Sequence, residues 1–238
     1  MSTKSRVTET CSRQENNVYQ LYGDPGSGSA TVELTLSELG VPYNFCEVPL
    51  ETEAHRSTNF EKLNPQKKVP ALVCSDGSVI TESVAIILWL LESHPSIQLL
   101  PVRGSSERAQ ALRWLLFLTA DLYQLIEIID YPERFAPDSM DAEALREKTT
   151  VIWQDRWKIV EQNITGPFLL GKDFCVTDIY IAVVSRWAKL AQWRPGNIPK
   201  VEAVADAVSR RPACREIWKR NFGRIPAKAG TSLGVGDS

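Results

Sequence analysis

Hydrophobic and polar positions follow two different rhythms along this chain, and the change between them falls near residue 100. In the first part, short β-rich runs alternate with one-sided helical stretches. Val18 to Tyr22 reads as a strand stopped by the turn cluster Asp24-Pro25-Gly26, and Ala30 to Leu39 places Val32, Leu36 and Leu39 at helical spacing before Gly40. Tyr43 to Val48 reads as a second strand, followed by a polar loop from Pro49 to Asn59. Ala71–Cys74 and Ser78–Thr81 flank Ser75-Asp76-Gly77, where Asp-Gly supplies the positive φ of a tight hairpin, so these two strands are expected to be antiparallel neighbours. Glu82 to His94 is apolar on nearly every side, the pattern of a helix buried on both faces.

Beyond a connection bracketed by Pro95 and Pro101, strand signals cease. Helices are predicted over Ser106–Asp130, Asp141–Asn163, Val176–Leu190, Lys200–Arg211 and Ala213–Asn221. The expected organisation is a flexible extension at 1–17, an α/β domain at 18–97, an all-helical domain at 104–224 and a flexible tail at 225–238. Separation of strands from helices argues for two domains of different type rather than one doubly wound sheet.

Composition narrows the function. Lys+Arg 27 against Asp+Glu 29 leaves a net charge of −2, which offers no general attraction to nucleic acid or an anionic membrane. No apolar run approaches the roughly 20 residues that span a bilayer. The first seventeen residues lack the apolar stretch of a secretory signal, so a cytoplasmic location is expected. Five cysteines without a CxxC pair, beside two histidines, argue against a disulfide scaffold and against a metal site.

Three features carry candidate chemistry. Pro25-Gly26-Ser27-Gly28-Ser29 joins strand to helix and brings two hydroxyls and helix-terminal N–H groups to a place that favours an anion such as a thiolate; the same residues also suit a plain turn and helix cap. Lys68-Val69-Pro70 precedes a strand, where a cis Val69–Pro70 bond turns the Val69 backbone outward to pair with an extended ligand, or Pro70 simply opens an edge strand. Glu82-Ser83 begins the apolar helix, where a carboxylate and a hydroxyl match the ammonium and carboxylate of an α-amino acid head, or form a cap.

The sequence resembles the cytosolic glutathione transferase family, a thioredoxin-like domain followed by an all-helical one. The resemblance rests on Asn64-Pro65-Gln66-Lys67-Lys68-Val69-Pro70-Ala71-Leu72, Asp76-Gly77 and Thr81-Glu82-Ser83-Val84-Ala85-Ile86. It extends to Gly166–Gly171 leading into Phe174-Cys175-Val176-Thr177-Asp178-Ile179, similar to the family's capping box and hydrophobic staple. It covers about Val18 to Phe222. The resemblance implies glutathione as co-substrate, with Val69 pairing its cysteinyl backbone, Pro70 cis, Glu82 and Ser83 holding the γ-glutamyl head and Lys68 reaching the glycyl carboxylate. It also implies a homodimer.

A free thiol has a pKa near 8.5, so only about one in thirty molecules is ionised at pH 7, and such an enzyme must lower that value. The turn is most similar to the bacterial beta class, but Gly28 stands where that class has Cys. Ser29, at the helix start, and then Ser27 are therefore expected to supply the activating hydroxyl, with Tyr22 a further candidate. For the electrophile, the long helix offers Trp114, Phe117 and Tyr123, the last standing where the class carries a His that approaches the sulfur. Leu116 is expected to make that wall apolar and the second substrate hydrophobic. Transfer of glutathione to an electrophile is the leading expectation. Glutathione-dependent isomerisation, dehydration or biosynthetic tailoring, and a non-catalytic glutathione-binding scaffold, are the alternatives.

Overall fold

The computed structural model describes residues 18–136, 138, 141–187 and 191–223, so the segments expected to be flexible at 1–17 and 225–238 lie outside the described residues. Strand β1 (Tyr19–Gly23) leads through helix α1 (Ser29–Glu38) to β2 (Tyr43–Glu47), which pairs with it in parallel. A single turn of 3-10 helix (Ala54–Arg56) and a short α2 (Thr58–Glu61) interrupt the stretch expected to be loop; the Ser57 hydroxyl caps α2 by accepting from the Phe60 N–H at 3.3 Å. The hairpin β3 (Ala71–Val73) and β4 (Val79–Thr81) completes a mixed sheet in the order β2-β1-β3-β4, with β1–β3 and β3–β4 antiparallel. Helix α3 (Ser83–Ser93) comes immediately after β4.

All eight residues from Ser29 to Leu36 are buried. Such a segment tolerates polar residues only where each polar group is paired. The Thr31 and Thr35 hydroxyls donate to the carbonyls of Gly28 and Thr31, each at 2.8 Å. The fully buried Glu33 carboxylate accepts from the Tyr43 hydroxyl at 2.9 Å and from Asn221 Nδ2 at 3.2 Å, and it forms an ion pair with Arg220.

The helical half comprises α4 (Ser106–Phe117), a π-helical turn (Leu118–Tyr123), α5 (Gln124–Asp130), α6 (Ala142–Asn163), α7 (Val176–Val184), α8 (Arg194–Asn197), α9 (Pro199–Ser209) and α10 (Arg215–Phe222). The helix expected to run unbroken from Ser106 to Asp130 is thus a correction: its ladder widens for one turn at Leu118. Where it widens, the Thr119 hydroxyl donates to the Leu115 carbonyl at 2.7 Å. A π turn re-aims the side chains beyond it, and such turns are frequent at functional sites.

Every residue of α7 is buried, and α1, α4 and α9 pack around it. Its start has the expected capping pattern, for the Asp178 carboxylate accepts the N–H groups of Cys175 at 2.8 Å and Leu169 at 2.9 Å. Burial pushes the Asp178 carboxyl up to about 6 against the pull of these hydrogen bonds. In the helical half the fully buried Trp153 and Trp157 meet edge to face, with centroids 5.7 Å apart; truncating a tryptophan so placed costs about 3–5 kcal/mol. Among the described residues no helix is long and apolar enough to cross a membrane.

The two halves are bolted together at α1. Arg211 grips Glu38 with two hydrogen bonds, at 2.6 and 2.8 Å. The turn before α1 is clamped on both sides of one residue: the Gly26 N–H donates to Asn221 Oδ1 at 2.8 Å, and its carbonyl accepts from Trp187 Nε1 at 2.6 Å. A loop held so leaves little freedom to whatever lies next to it.

Candidate functional site

A cavity of about 280 Å³ opens between the β3–α3 side of the sheet domain and the π turn with α5. Lys68, Val69, Pro70, Glu82 and Ser83, five residues separated in sequence by the β3–β4 hairpin, all face it. The hairpin brings them together: β3 leaves from Pro70 and β4 returns to Glu82, with Ala71 paired to Thr81.

Val69 is joined to Pro70 by a cis peptide bond, and its N–H and C=O have no backbone partner among the described residues. Those two unpaired groups make it a strand edge open to an extended ligand. The approach is shaped by Asn64, whose Nδ2 donates to the Lys68 carbonyl at 2.7 Å and whose Oδ1 accepts from the Gln66 N–H at 3.0 Å. Glu82 caps α3 with φ 67° and ψ 113°, a region that a residue with a Cβ enters only when its surroundings enforce it. That backbone sets the exposed carboxylate beside the helix start. The buried Ser83 hydroxyl shares a hydrogen bond of 2.8 Å with the Tyr180 hydroxyl of α7. Burial raises the Tyr180 pKa while hydrogen bonds with Ser83 and Thr119 oppose the rise, so Tyr180 stays a neutral phenol. Lys68 Nζ reaches across the cavity to Glu127 Oε2 at 2.7 Å, and Arg134 stands 3.6 Å from the other oxygen of Glu127.

The hydroxyls expected to activate a thiol are placed otherwise. Ser29 is fully buried and donates to the Asp24 carbonyl at 3.0 Å. With that proton committed, Ser27 is the donor in the 2.9 Å contact between the two hydroxyls, so both O–H groups are satisfied inside the turn. The helix-terminal amides are also taken: the N–H groups of Ser29, Ala30 and Thr31 bond to Ser27 Oγ, the Ser27 carbonyl and the Gly28 carbonyl, at 3.2, 3.1 and 3.2 Å. Tyr22 donates to Gln20 Oε1 at 3.4 Å and packs on Phe60, with its pKa raised by burial.

Of the three aromatic residues expected at the electrophile, Tyr123 lines the cavity. Trp114 is a core residue, 3% exposed, with Arg113 stacked over it at 4.0 Å and Phe117 against its edge at 5.4 Å. Leu116 is 62% exposed on the outer face of α4, so the apolar wall expected of it is not formed. The reason is rotation: Leu116 and Tyr123, seven residues apart, would share a face of an unbroken α-helix, but the π turn over Leu118–Tyr123 breaks that alignment. The wall is polar instead, made by Thr119, Gln124 and Glu127. Thr119 and Glu127 lie four residues either side of Tyr123, so choosing Tyr123 on the i±4 rule points to both. Gln124 has no comparable signal, and Asn64 stands in the motif that carries the family resemblance without a role having been expected of it. Among the described residues no group of three His, Cys, Asp or Glu is placed to hold a metal ion.

Comparison with known proteins identifies the family and the fold. The family model described as "Glutathione S-transferase, N-terminal domain" matches residues 21–98. An uncharacterised GST-like protein of Escherichia coli K12, YncG, is 32% identical over 204 residues, covering 85% of this chain and 98% of its own. A maleylpyruvate isomerase of a Ralstonia species is 39% identical over 95 residues, 39% of this chain and 44% of its own. Among solved structures, a glutathione transferase homologue from Sulfitobacter with bound glutathione superposes with a TM-score of 0.79 at 23% identity, covering 84% of this chain and 96% of that one. The last likeness speaks for the fold.

Proposed function

This chain belongs to the glutathione S-transferase family, and from that premise we propose that its interdomain cavity binds glutathione and delivers the thiolate to a polar electrophile. One observation carries the reading: an unpaired strand edge at Val69 and a carboxylate–hydroxyl pair at Glu82 and Ser83 share one cavity. These are the complements of a peptide backbone and of an amino acid head. Val69 pairs with the cysteinyl residue as an added strand. Glu82 takes the γ-glutamyl ammonium, and Ser83 with the first amides of α3 takes its carboxylate. Lys68 takes the glycyl carboxylate by releasing Glu127. The bound sulfur then lies toward the α1 turn, and once ionised its electron pair forms the new S–C bond while the leaving group departs with its own pair. In an addition, water supplies the proton instead. Holding both partners in this geometry converts a bimolecular encounter into a local step.

The polar wall of Thr119, Gln124 and Glu127 favours a second substrate bearing polar groups over the hydrophobic one anticipated from Leu116. The same wall, with the likeness to an isomerase over part of the chain, supports a second reading, in which the thiolate adds, a bond rotates and glutathione is expelled unchanged. A homodimer in the cytoplasm completes the proposal.

Titration calorimetry with glutathione is the test. Binding at millimolar concentrations or tighter is expected, weakened about 10-fold or more by Ser83→Ala, which removes a hydrogen bond to the carboxylate, or by Glu82→Gln, which removes the charge that meets the ammonium. No binding by the native protein overturns the reading. Product analysis separates the two reactions: a stable conjugate marks transfer, full recovery of glutathione marks isomerisation.

A further inference from the structure

We propose that Tyr123, delivered from the helical half, is the hydrogen-bond donor that holds the glutathione thiolate, occupying the space that a side chain at position 28 would otherwise fill. The inference rests on the glutathione-binding reading above and adds to it the group that acts on the sulfur.

The first support is Gly28 itself. Its backbone sits at φ −59° and ψ −19°, ordinary right-handed values open to any residue, so conformation does not call for glycine here. Space does. A Cβ on Gly28 would stand 3.2 Å from both Cε1 and Cζ of Tyr123 and nearer still to its hydroxyl oxygen. The phenol therefore rests directly on the start of α1, at the end of the turn that leaves β1.

The second support is how firmly the phenol is held. The Trp187 ring packs on Tyr123 with centroids 4.5 Å apart, and the same indole donates to the Gly26 carbonyl at 2.6 Å. One side chain thus fixes both the ring and the turn beneath it, and Trp187 is a positioning residue for the pair.

The third support is the donor inventory. Ser27, Ser29 and Tyr22 have their O–H groups committed within the protein. The Tyr123 hydroxyl has no hydrogen-bond partner among the described residues, and Tyr123 forms part of the cavity wall with Val69 and Ser83. Burial first, then the neighbouring Tyr180, Glu82 and Glu127, raise its pKa, which keeps it a protonated phenol at every physiological pH. A neutral phenol is a donor to a thiolate and cannot act as a base toward the thiol. The glutathione S–H accordingly gives its proton to solvent water, the sulfur electron pair accepts the Tyr123 O–H, and that pair is free to form the S–C bond.

The test compares native protein with Tyr123→Phe, which keeps the ring against Trp187. Two quantities are read: the pKa of bound glutathione, from the ultraviolet band of its thiolate across pH, and the affinity for S-methylglutathione, which has no proton to lose. In the native complex the thiol pKa lies below that of free glutathione. In Tyr123→Phe it rises by about one to two units, a roughly 10- to 100-fold fall in the thiol's ionisation constant and the scale of one hydrogen bond to a charged acceptor, and the thiolate band at neutral pH falls with it. S-methylglutathione affinity stays within about 2-fold. Gly28→Ala, which displaces the hydroxyl without removing it, moves the thiol pKa in the same direction. An unchanged thiol pKa in Tyr123→Phe, or a rise in Ser29→Ala instead, overturns the inference while leaving glutathione binding intact. An equal loss of S-methylglutathione affinity also overturns it, since Tyr123 would then only shape the site. Failure of the native protein to bind either compound defeats the underlying reading instead.

Discussion

Replacing Gly28 by alanine puts the packing of Tyr123 on the start of α1 to a thermodynamic test. The added Cβ meets Cε1 and Cζ at 3.2 Å and the hydroxyl oxygen more closely, so the ring must retreat from a place fixed by Trp187. Overpacking of this kind costs about 1–3 kcal/mol, and alanine is a poorer helix cap than glycine by about 0.5 kcal/mol, giving a total near 2–3 kcal/mol. For a chain of this length that lowers Tm by about 4–10 °C. In a Tyr123→Phe background the closest atom is gone, and the remaining contacts yield to a shift of a few tenths of an ångström, so the same substitution costs about 1 kcal/mol. The cycle therefore returns a coupling of about 1–2 kcal/mol, well above the roughly 0.5 kcal/mol scatter of additive pairs. Urea unfolding monitored by tryptophan fluorescence reads it from midpoints at constant slope. A neutral Gly28→Ala, or effects that simply add, refutes the reasoning.

Charge pairing and burial elsewhere in the molecule set three further outcomes. Glu127→Gln frees Lys68 from its 2.7 Å partner; because a half-exposed pair is worth at most about 1 kcal/mol, glutathione affinity is expected to rise about 2- to 5-fold at low salt and less at high salt, and calorimetry showing no change at either removes Lys68 from the site. Arg220→Ala strands the fully buried Glu33 carboxylate with only its Tyr43 and Asn221 donors; a loss of about 3 kcal/mol in urea unfolding is expected, partly restored by adding Glu33→Gln, and a loss below about 0.5 kcal/mol contradicts it. Asp178, held at about 6 in the folded protein, carries more proton there than in the unfolded chain between about pH 4 and 6. Its contribution to stability therefore grows as pH falls through that window, Asp178→Asn lacks this slope, and identical pH profiles for the two proteins count against it.

Much of the fold is legible in the sequence because its signals are local. The Asp76-Gly77 turn sets the hairpin, and the hairpin alone carries Val69, Pro70, Glu82 and Ser83 to one cavity. The Asp178 cap is likewise written within a few residues of sequence. What escapes a sequence reading depends on atoms brought from far along the chain. Gly28 is visible as a departure from the class pattern, but its reason is a phenol from another domain. Ser29 is a sound candidate until the Asp24 carbonyl, folded over it by the turn, takes its proton. Trp114 and Tyr123 are both aromatic residues of one apolar stretch, yet they stand nine residues apart with the π turn that ends at Tyr123 intervening, and the first lies in the core while the second lines the cavity. Buried polar residues of α1 are hidden for the same reason, since Glu33 is neutralised by Arg220.

The most direct measurement is a structure of the protein with glutathione bound. The account predicts the γ-glutamyl head at Glu82 and Ser83, the cysteinyl backbone paired along Val69, and the sulfur within hydrogen-bonding reach of the Tyr123 hydroxyl above Gly28. A tripeptide lying elsewhere, or a sulfur seated against Ser27 and Ser29 with Tyr123 turned away, contradicts it.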